Sequence, residues 1–221
     1  MIKCVLFDMD GTIINSEKYT ISSKIIEGKK LGYDVSTEAV IGSFGLSREN
    51  SKRYFKNIYG EDFPYDILSE YRFEYIINAM KSNELEAMPY AEELILFLKK
   101  HNIKICLCTS TNSKRVEVYR TLFPLLNEFD YYITNDMVKQ GKPSPDIFIE
   151  GMRQSNCLPS ETIVVEDAIS GVVAGLKAKA TTIMVPDYVK PDEFVYNSPA
   201  LIMNSLKEVK EYIIKTNNIK E

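Results

Sequence analysis

Ile2-Lys3-Cys4-Val5-Leu6-Phe7-Asp8-Met9-Asp10-Gly11-Thr12 is the stretch from which the rest of the chain is read. Residues 2–7 form a short run rich in β-favouring apolar side chains, and the run stops abruptly at Asp8 and Asp10. Both carboxylates therefore fall where a strand gives way to a loop, the edge at which open α/β sheets place their ligands. Gly11 removes a Cβ beside them and permits backbone angles closed to other residues.

Working outward, residues 16–86 change character. They read as helices rich in Lys, Glu, Tyr and Ile, punctuated by Gly32, Gly42, Gly45 and Gly60, with no strand pattern. After Pro89 an α/β rhythm sets in. Helices over residues 91–101, 113–123, 145–154 and 170–179 alternate with strands over 103–108, 131–134, 162–166 and 181–185, and an amphipathic helix over 206–216 closes the chain. Such alternation predicts a mainly parallel sheet. The expected organisation is an α/β core from residues 1–14 and 88–221, interrupted by a helical insertion over 15–87.

With 221 residues, 45% of them hydrophobic, the chain is long enough for one large domain or two small ones. Its net charge of -4 lacks the cationic field that nucleic acid or an anionic membrane would require, so neither is an expected partner. Met1-Ile2-Lys3 runs directly into a strand pattern, and no apolar stretch approaches the roughly 20 residues of a membrane span, so the expected location is cytoplasmic. Cys4, Cys106, Cys108 and Cys157 lack paired zinc-site spacing and read as reduced core thiols.

Four polar groups stand at or just beyond strand ends: Asp8 with Asp10, Thr109 with Ser110, Lys142, and Glu166 with Asp167. Alone, each is ordinary: Asp-x-Asp-Gly is a common turn, Thr-Ser and Glu-Asp serve as helix caps, and Lys before Pro is a surface loop. Together they differ, because the carboxyl ends of parallel strands share one edge and bring distant segments into one cleft. Several carboxylates in a small volume repel one another, a strain that a hard divalent cation relieves, and magnesium (Mg2+) suits a site of few oxygen ligands with room for water and a phosphate oxygen. Lys142 would add fixed positive charge near Asp8 and a bound phosphate. The Thr109 hydroxyl and the backbone amides of the Thr109-Ser110 turn would supply neutral donors to phosphate oxygens.

Val5-Leu6-Phe7-Asp8-Met9-Asp10-Gly11-Thr12, then Cys106-Leu107-Cys108-Thr109-Ser110, then Lys142-Pro143-Ser144-Pro145-Asp146-Ile147-Phe148, then Val164-Val165-Glu166-Asp167 resemble the four successive motifs of the haloacid-dehalogenase-like superfamily. The resemblance covers nearly the whole chain and is strongest with the group whose helical cap follows the first motif. It implies a Rossmann-like α/β core with an α-helical cap, and a magnesium-dependent phosphatase acting on a small phosphorylated metabolite. By the same resemblance Asp8 is the nucleophile, Asp10 the general acid and then base, Thr109 the phosphate-binding hydroxyl, and Lys142 the anchor of phosphate and nucleophile. Magnesium would be held by Asp8, the Asp10 main-chain carbonyl and Asp167, with Glu166 acting through water. Ala168 departs from the Ser common after the acidic pair. Asp10 argues against dehalogenation, which has no leaving alkoxide to protonate.

Two other readings compete. Gly45-Leu46-Ser47-Arg48-Glu49-Asn50-Ser51 is similar to the substrate loop of beta-phosphoglucomutases, in which the Arg holds a second phosphate; Arg48 is accordingly a candidate cap contact with substrate. Thr20 and Phe44, however, stand where those mutases carry His and Lys, which favours transfer to water over transfer to a sugar. A catalytically silent binding module would be expected to have lost one of Asp8, Asp10, Lys142 or Asp167, and all are present. A monomer is the expected assembly.

Overall fold

The computed structural model describes residues 1–220. Six strands form one wholly parallel sheet in the order β3-β2-β1-β4-β5-β6. They are β1 (Cys4–Phe7), β2 (Lys104–Thr109), β3 (Tyr131–Thr134), β4 (Thr162–Glu166), β5 (Thr181–Met184) and β6 (Leu201–Ile202). A parallel sheet needs cover on both faces, which is why its strands read as continuous apolar runs. Val5 and Phe7 join Ile105, Leu107, Ile163 and Val165 on one face, beneath α5 (Ala91–Lys100), α6 (Ser113–Leu122) and α10 (Leu206–Asn217). Cys4 and Leu6 point the other way, with Cys106, Cys108 and Val164, against α7 (Asp146–Ser155) and α8 (Ile169–Lys177). Gly151 on α7 permits that approach, since a Cβ there would lie 3.0 Å from the Cys108 sulfur.

Between β1 and α5 lie four helices: α1 (Glu17–Lys30), α2 (Thr37–Ile41), α3 (Arg48–Tyr59) and α4 (Tyr65–Lys81). Caps set two of their starts: the Ser36 hydroxyl accepts from the Ala39 amide and the Ser47 hydroxyl from the Asn50 amide. Val40, Phe44, Phe55, Phe63, Tyr65 and Leu68 form a separate apolar cluster within this block. The end of α4 instead joins the sheet's own core through Ile76, Ile77 and Met80. The chain leaves and re-enters the sheet layer along one paired track, where the Asn15 amide donates to Glu86 (2.9 Å) and the Met88 amide to Ile13 (2.8 Å).

The sheet contains one more strand than the sequence pattern predicts, because β6 is only two residues long, and a four-residue helix α9 (Glu193–Tyr196) precedes it. The four cysteines are free; Cys4, Cys106 and Cys108 are buried, and Cys157 is partly exposed. Among the described residues no helix is long and apolar enough to cross a membrane.

Candidate active site

Strand register brings the polar groups together. Phe7 pairs with Leu107 on one side and Val165 on the other, so Asp8, one residue on, comes level with Cys108 and Glu166. The Asp8 amide donates to the Val165 carbonyl at 3.0 Å, fixing that level. Lys142, from the loop before α7, is wholly buried. Its ammonium donates to Asp8 Oδ1 and to the Cys108 carbonyl (3.0 Å), and lies 2.6 Å from Glu166 Oε1. Two of these are hydrogen-bond acceptors and Glu166 is a close counter-charge.

Burial pushes the Asp8 carboxyl above its ordinary range, while Lys142 draws it back. Burial likewise raises Glu166, to about 7, against the pull of Lys142. Asp167 is raised well above its ordinary value by burial and then by the charges of Asp8 and Glu166. Burial disfavours the Lys142 ammonium, but the two carboxylates outweigh that and the net shift is upward. One ammonium cannot neutralise three buried carboxylates.

The donor set fits a hard divalent cation. Oxygens of Asp8, Glu166 and Asp167 lie within 4.8 Å of one another, and Glu166 Oε2 has no hydrogen-bond partner. Two glycines clear space for these carboxylates. At Gly11, φ is +77° and a Cβ would sit 2.5 Å from Asp167 Oδ2; at Gly171 a Cβ would sit 1.9 Å from the Glu166 carboxyl carbon.

The Asp10 carboxylate turns to different partners: the Ser16 hydroxyl (2.5 Å) and Arg72 Nη2 (2.8 Å) at Oδ1, and the Thr111 hydroxyl (3.3 Å) at Oδ2. Arg72 comes from α4 and also donates to the Thr20 hydroxyl through Nε (2.8 Å). Thr109 is buried at the end of β2, where its Oγ1 accepts the Thr111 amide (3.0 Å). The buried Ser110 hydroxyl has no partner and lines the cleft.

That cleft, of about 130 Å³, runs from Asp8 and Asp10 beneath the helical block. Arg48 lines it, but its guanidinium is engaged by Asp66 (2.7 Å) and the Ser69 hydroxyl (3.1 Å). Phe44 also lines the cleft and is buried edge-on to Tyr188. Gly45, with φ of +71°, rests on the loop after β4: a Cβ there would meet the Ala168 Cβ at 2.5 Å and the Ser170 hydroxyl at 2.6 Å. A small residue at 168 thus accommodates the cap loop. Asn50 Nδ2 reaches the Lys142 carbonyl at 3.1 Å.

The structure therefore brings Asp8, Lys142, Glu166 and Asp167 into one buried cluster, with Asp10 and Ser110 on the adjoining cleft, Thr109 behind it and Arg48 across it. Sequence reading did not identify Ser16, Glu17, Lys24, Arg72, Thr111 or Arg115 in this region. A signal existed for Ser16, a capping-type residue six positions beyond Asp10. Arg72 carries none, because the direction of one Arg on a polar helix depends on tertiary packing.

These features define a hydrolase of a known class: the chain belongs to the haloacid dehalogenase-like hydrolase family, whose profile matches residues 5–185. It is 28% identical to the bifunctional riboflavin kinase/FMN phosphatase of Arabidopsis thaliana, over 94% of this chain but 54% of that protein, so it spans about half the length of that relative. It is 32% identical to (DL)-glycerol-3-phosphatase 2 of the same plant, covering 83% of this chain and 79% of the other. Among solved structures, a beta-phosphoglucomutase from Clostridium difficile superposes with a TM-score of 0.79 at 26% identity, covering 99% of this chain and 98% of that one.

Proposed function

We propose that the protein is a magnesium-dependent phosphatase of a small phosphorylated metabolite, a sugar phosphate or close relative, working through an aspartyl phosphate on Asp8. The observation that carries this reading is the ion pair of buried Asp8 with Lys142 at the end of the central strand, with Asp10 two residues beyond on the open cleft. An Asp8 oxygen attacks phosphorus in line and the ester P–O bond breaks, while Asp10 gives its proton to the departing alkoxide. Asp10, now a carboxylate, takes a proton from water; that water's oxygen attacks the same phosphorus, releasing inorganic phosphate and restoring Asp8. Lys142 holds Asp8 in place, and Ser110 and Thr109 supply donors to phosphoryl oxygens. Asp8, Asp167 and the Asp10 main-chain carbonyl, with Glu166 acting through water, would hold a divalent cation, which would supply charge neutralisation for the approaching phosphate.

Transfer to water, not to a second sugar, is supported by Thr20 and Phe44. Thr20 is bonded to Arg72 and Phe44 is packed against Tyr188, so neither offers the charged group that a mutase carries there. The test is product analysis with β-glucose 1-phosphate, primed by a bisphosphate, and with p-nitrophenyl phosphate. The expected result is free phosphate from both, lost on chelation, restored by magnesium and inhibited by calcium, whose looser coordination misplaces Asp8. Efficient formation of glucose 6-phosphate would favour the mutase, and full activity after exhaustive chelation would remove the metal.

A further inference from the structure

The cations around the cleft are matched, with one exception. Lys142 meets Asp8 and Glu166, Arg72 meets Asp10, Arg48 meets Asp66, and Arg115 meets Glu70 at 2.6 Å. Lys24, on α1, lines the same cleft and is only 5% exposed, yet among the described residues no carboxylate lies within ion-pair distance of it. Its ammonium has a single hydrogen-bond partner, the Ser43 hydroxyl at 3.3 Å, and stands 4.5 Å from the Phe55 ring centroid and 5.9 Å from that of Tyr65. Ser43 donates its own proton to the Val40 carbonyl (2.7 Å), so it can only accept from Lys24.

A buried ammonium held by one hydroxyl and an aromatic face lacks the counter-charge that usually accompanies such burial. On the reading of the site as a phosphatase, we infer that Lys24 forms a second anion subsite, taking a carboxylate or phosphate carried by the substrate beyond the ester that is cleaved. Ser51 and Tyr65 line the cleft alongside it and add hydroxyl groups. Arg48, whose position in the loop first suggested a distal-anion contact, has its charge met by Asp66, whereas Lys24 awaits one. Burial, reinforced by the positive charge of Arg72 and opposed by Glu17, pushes the Lys24 ammonium down to about 7, so an anion bound beside it would restore its full charge. Glu17 is itself raised to about 8 by burial and the nearby Asp10.

Binding measured without turnover separates this inference from the catalytic one. Calorimetry in magnesium chloride would compare three non-hydrolysable phosphonates of equal chain length: 3-phosphonopropionate, propane-1,3-diphosphonate and 3-hydroxypropylphosphonate. The wild type should bind at least one of the two anionic-tailed compounds about tenfold or more tightly than the hydroxyl-tailed one, and which of the two wins identifies the carboxylate or the phosphate. Lys24→Met should erase that preference and Lys24→Arg should keep it. A wild type that binds the neutral tail as well as either anion overturns the inference without any variant and assigns the subsite to hydroxyl groups. A preference that survives in Lys24→Met overturns it too. Phosphate release from p-nitrophenyl phosphate, which has no distal anion, reports separately on the phosphatase reading.

Discussion

Lys142 carries a charge in a place closed to water, and it is tolerated because Asp8 and the Cys108 carbonyl accept from its ammonium and the Glu166 carboxylate lies 2.6 Å away as a second counter-charge. The bond from Lys142 fixes Asp8 Oδ1, and Asp8 lines the cleft. Asp8→Asn keeps the shape but removes the proposed nucleophile and a candidate metal ligand. Turnover of any phosphate ester by Asp8→Asn should fall about 10³-fold or more while the fold persists, as single-turnover phosphate release and circular dichroism would show. Retention of more than about a few per cent of the wild-type rate would be inconsistent with a nucleophile at this position.

At the scale of elements, the strand ends are tied to the helices that follow them. Asp136, in the turn after β3, accepts from the Ser113 amide (2.8 Å) and hydroxyl (2.6 Å) and from the Thr134 hydroxyl (2.7 Å), joining β3 to the start of α6. Partial burial alone would raise its pKa, but these hydrogen bonds win and lower it to about 2, from an ordinary 3.8. A depressed carboxyl contributes stability above its unfolded value and loses it as pH falls towards the folded one. Asp136→Ala should therefore cost about 1 kcal/mol at pH 7, a figure discounted for the exposure of the group. In urea titrations the difference from wild type should shrink below pH 4 and be mostly lost by about pH 2; a constant difference across that range would remove the carboxylate from the account.

Elements were legible where a local signal is strong. Tyr131–Thr134 and Thr162–Glu166 are bounded as their apolar runs predict, because the second is buried throughout, the first is buried over its last two residues, and polar residues end them. Leu201–Ile202 is too short to show any period. The site divides in the same way. The meeting of Asp8, Thr109, Lys142, Glu166 and Asp167 near one edge was legible because topology places strand ends there, while their roles belong to the proposal. Lys24 and Arg72 were not, because each is one cation among many on helices, and only packing shows that Phe55 lies under one and Asp10 beside the other.

Across the whole molecule, the helical block meets the sheet's functional edge at several points: Gly45 on Ala168, Asn50 on the Lys142 carbonyl, Arg72 on Asp10, and Arg115 on Ser69 and Glu70. These contacts border the cleft that holds Asp8 and Asp10, and on the proposed reading the block would serve as a lid whose seating completes the site. Asn50→Ala removes one seating bond without touching the carboxylates. It should lower kcat/KM for the best ester about fivefold, the equivalent of roughly 1 kcal/mol, and leave global stability within about 0.5 kcal/mol of wild type. Unchanged kinetics would show that this contact plays no part in closure.

The central claim is that the phosphoryl group passes from substrate to Asp8 and then to water, two in-line displacements at one phosphorus atom. It is tested most directly by the stereochemistry of transfer from an ester whose phosphoryl group is made chiral with sulfur and oxygen isotopes, with hydrolysis in isotopically labelled water. Two displacements each invert the centre, so the account predicts net retention of configuration. Net inversion would mean a single direct attack by water and would contradict it.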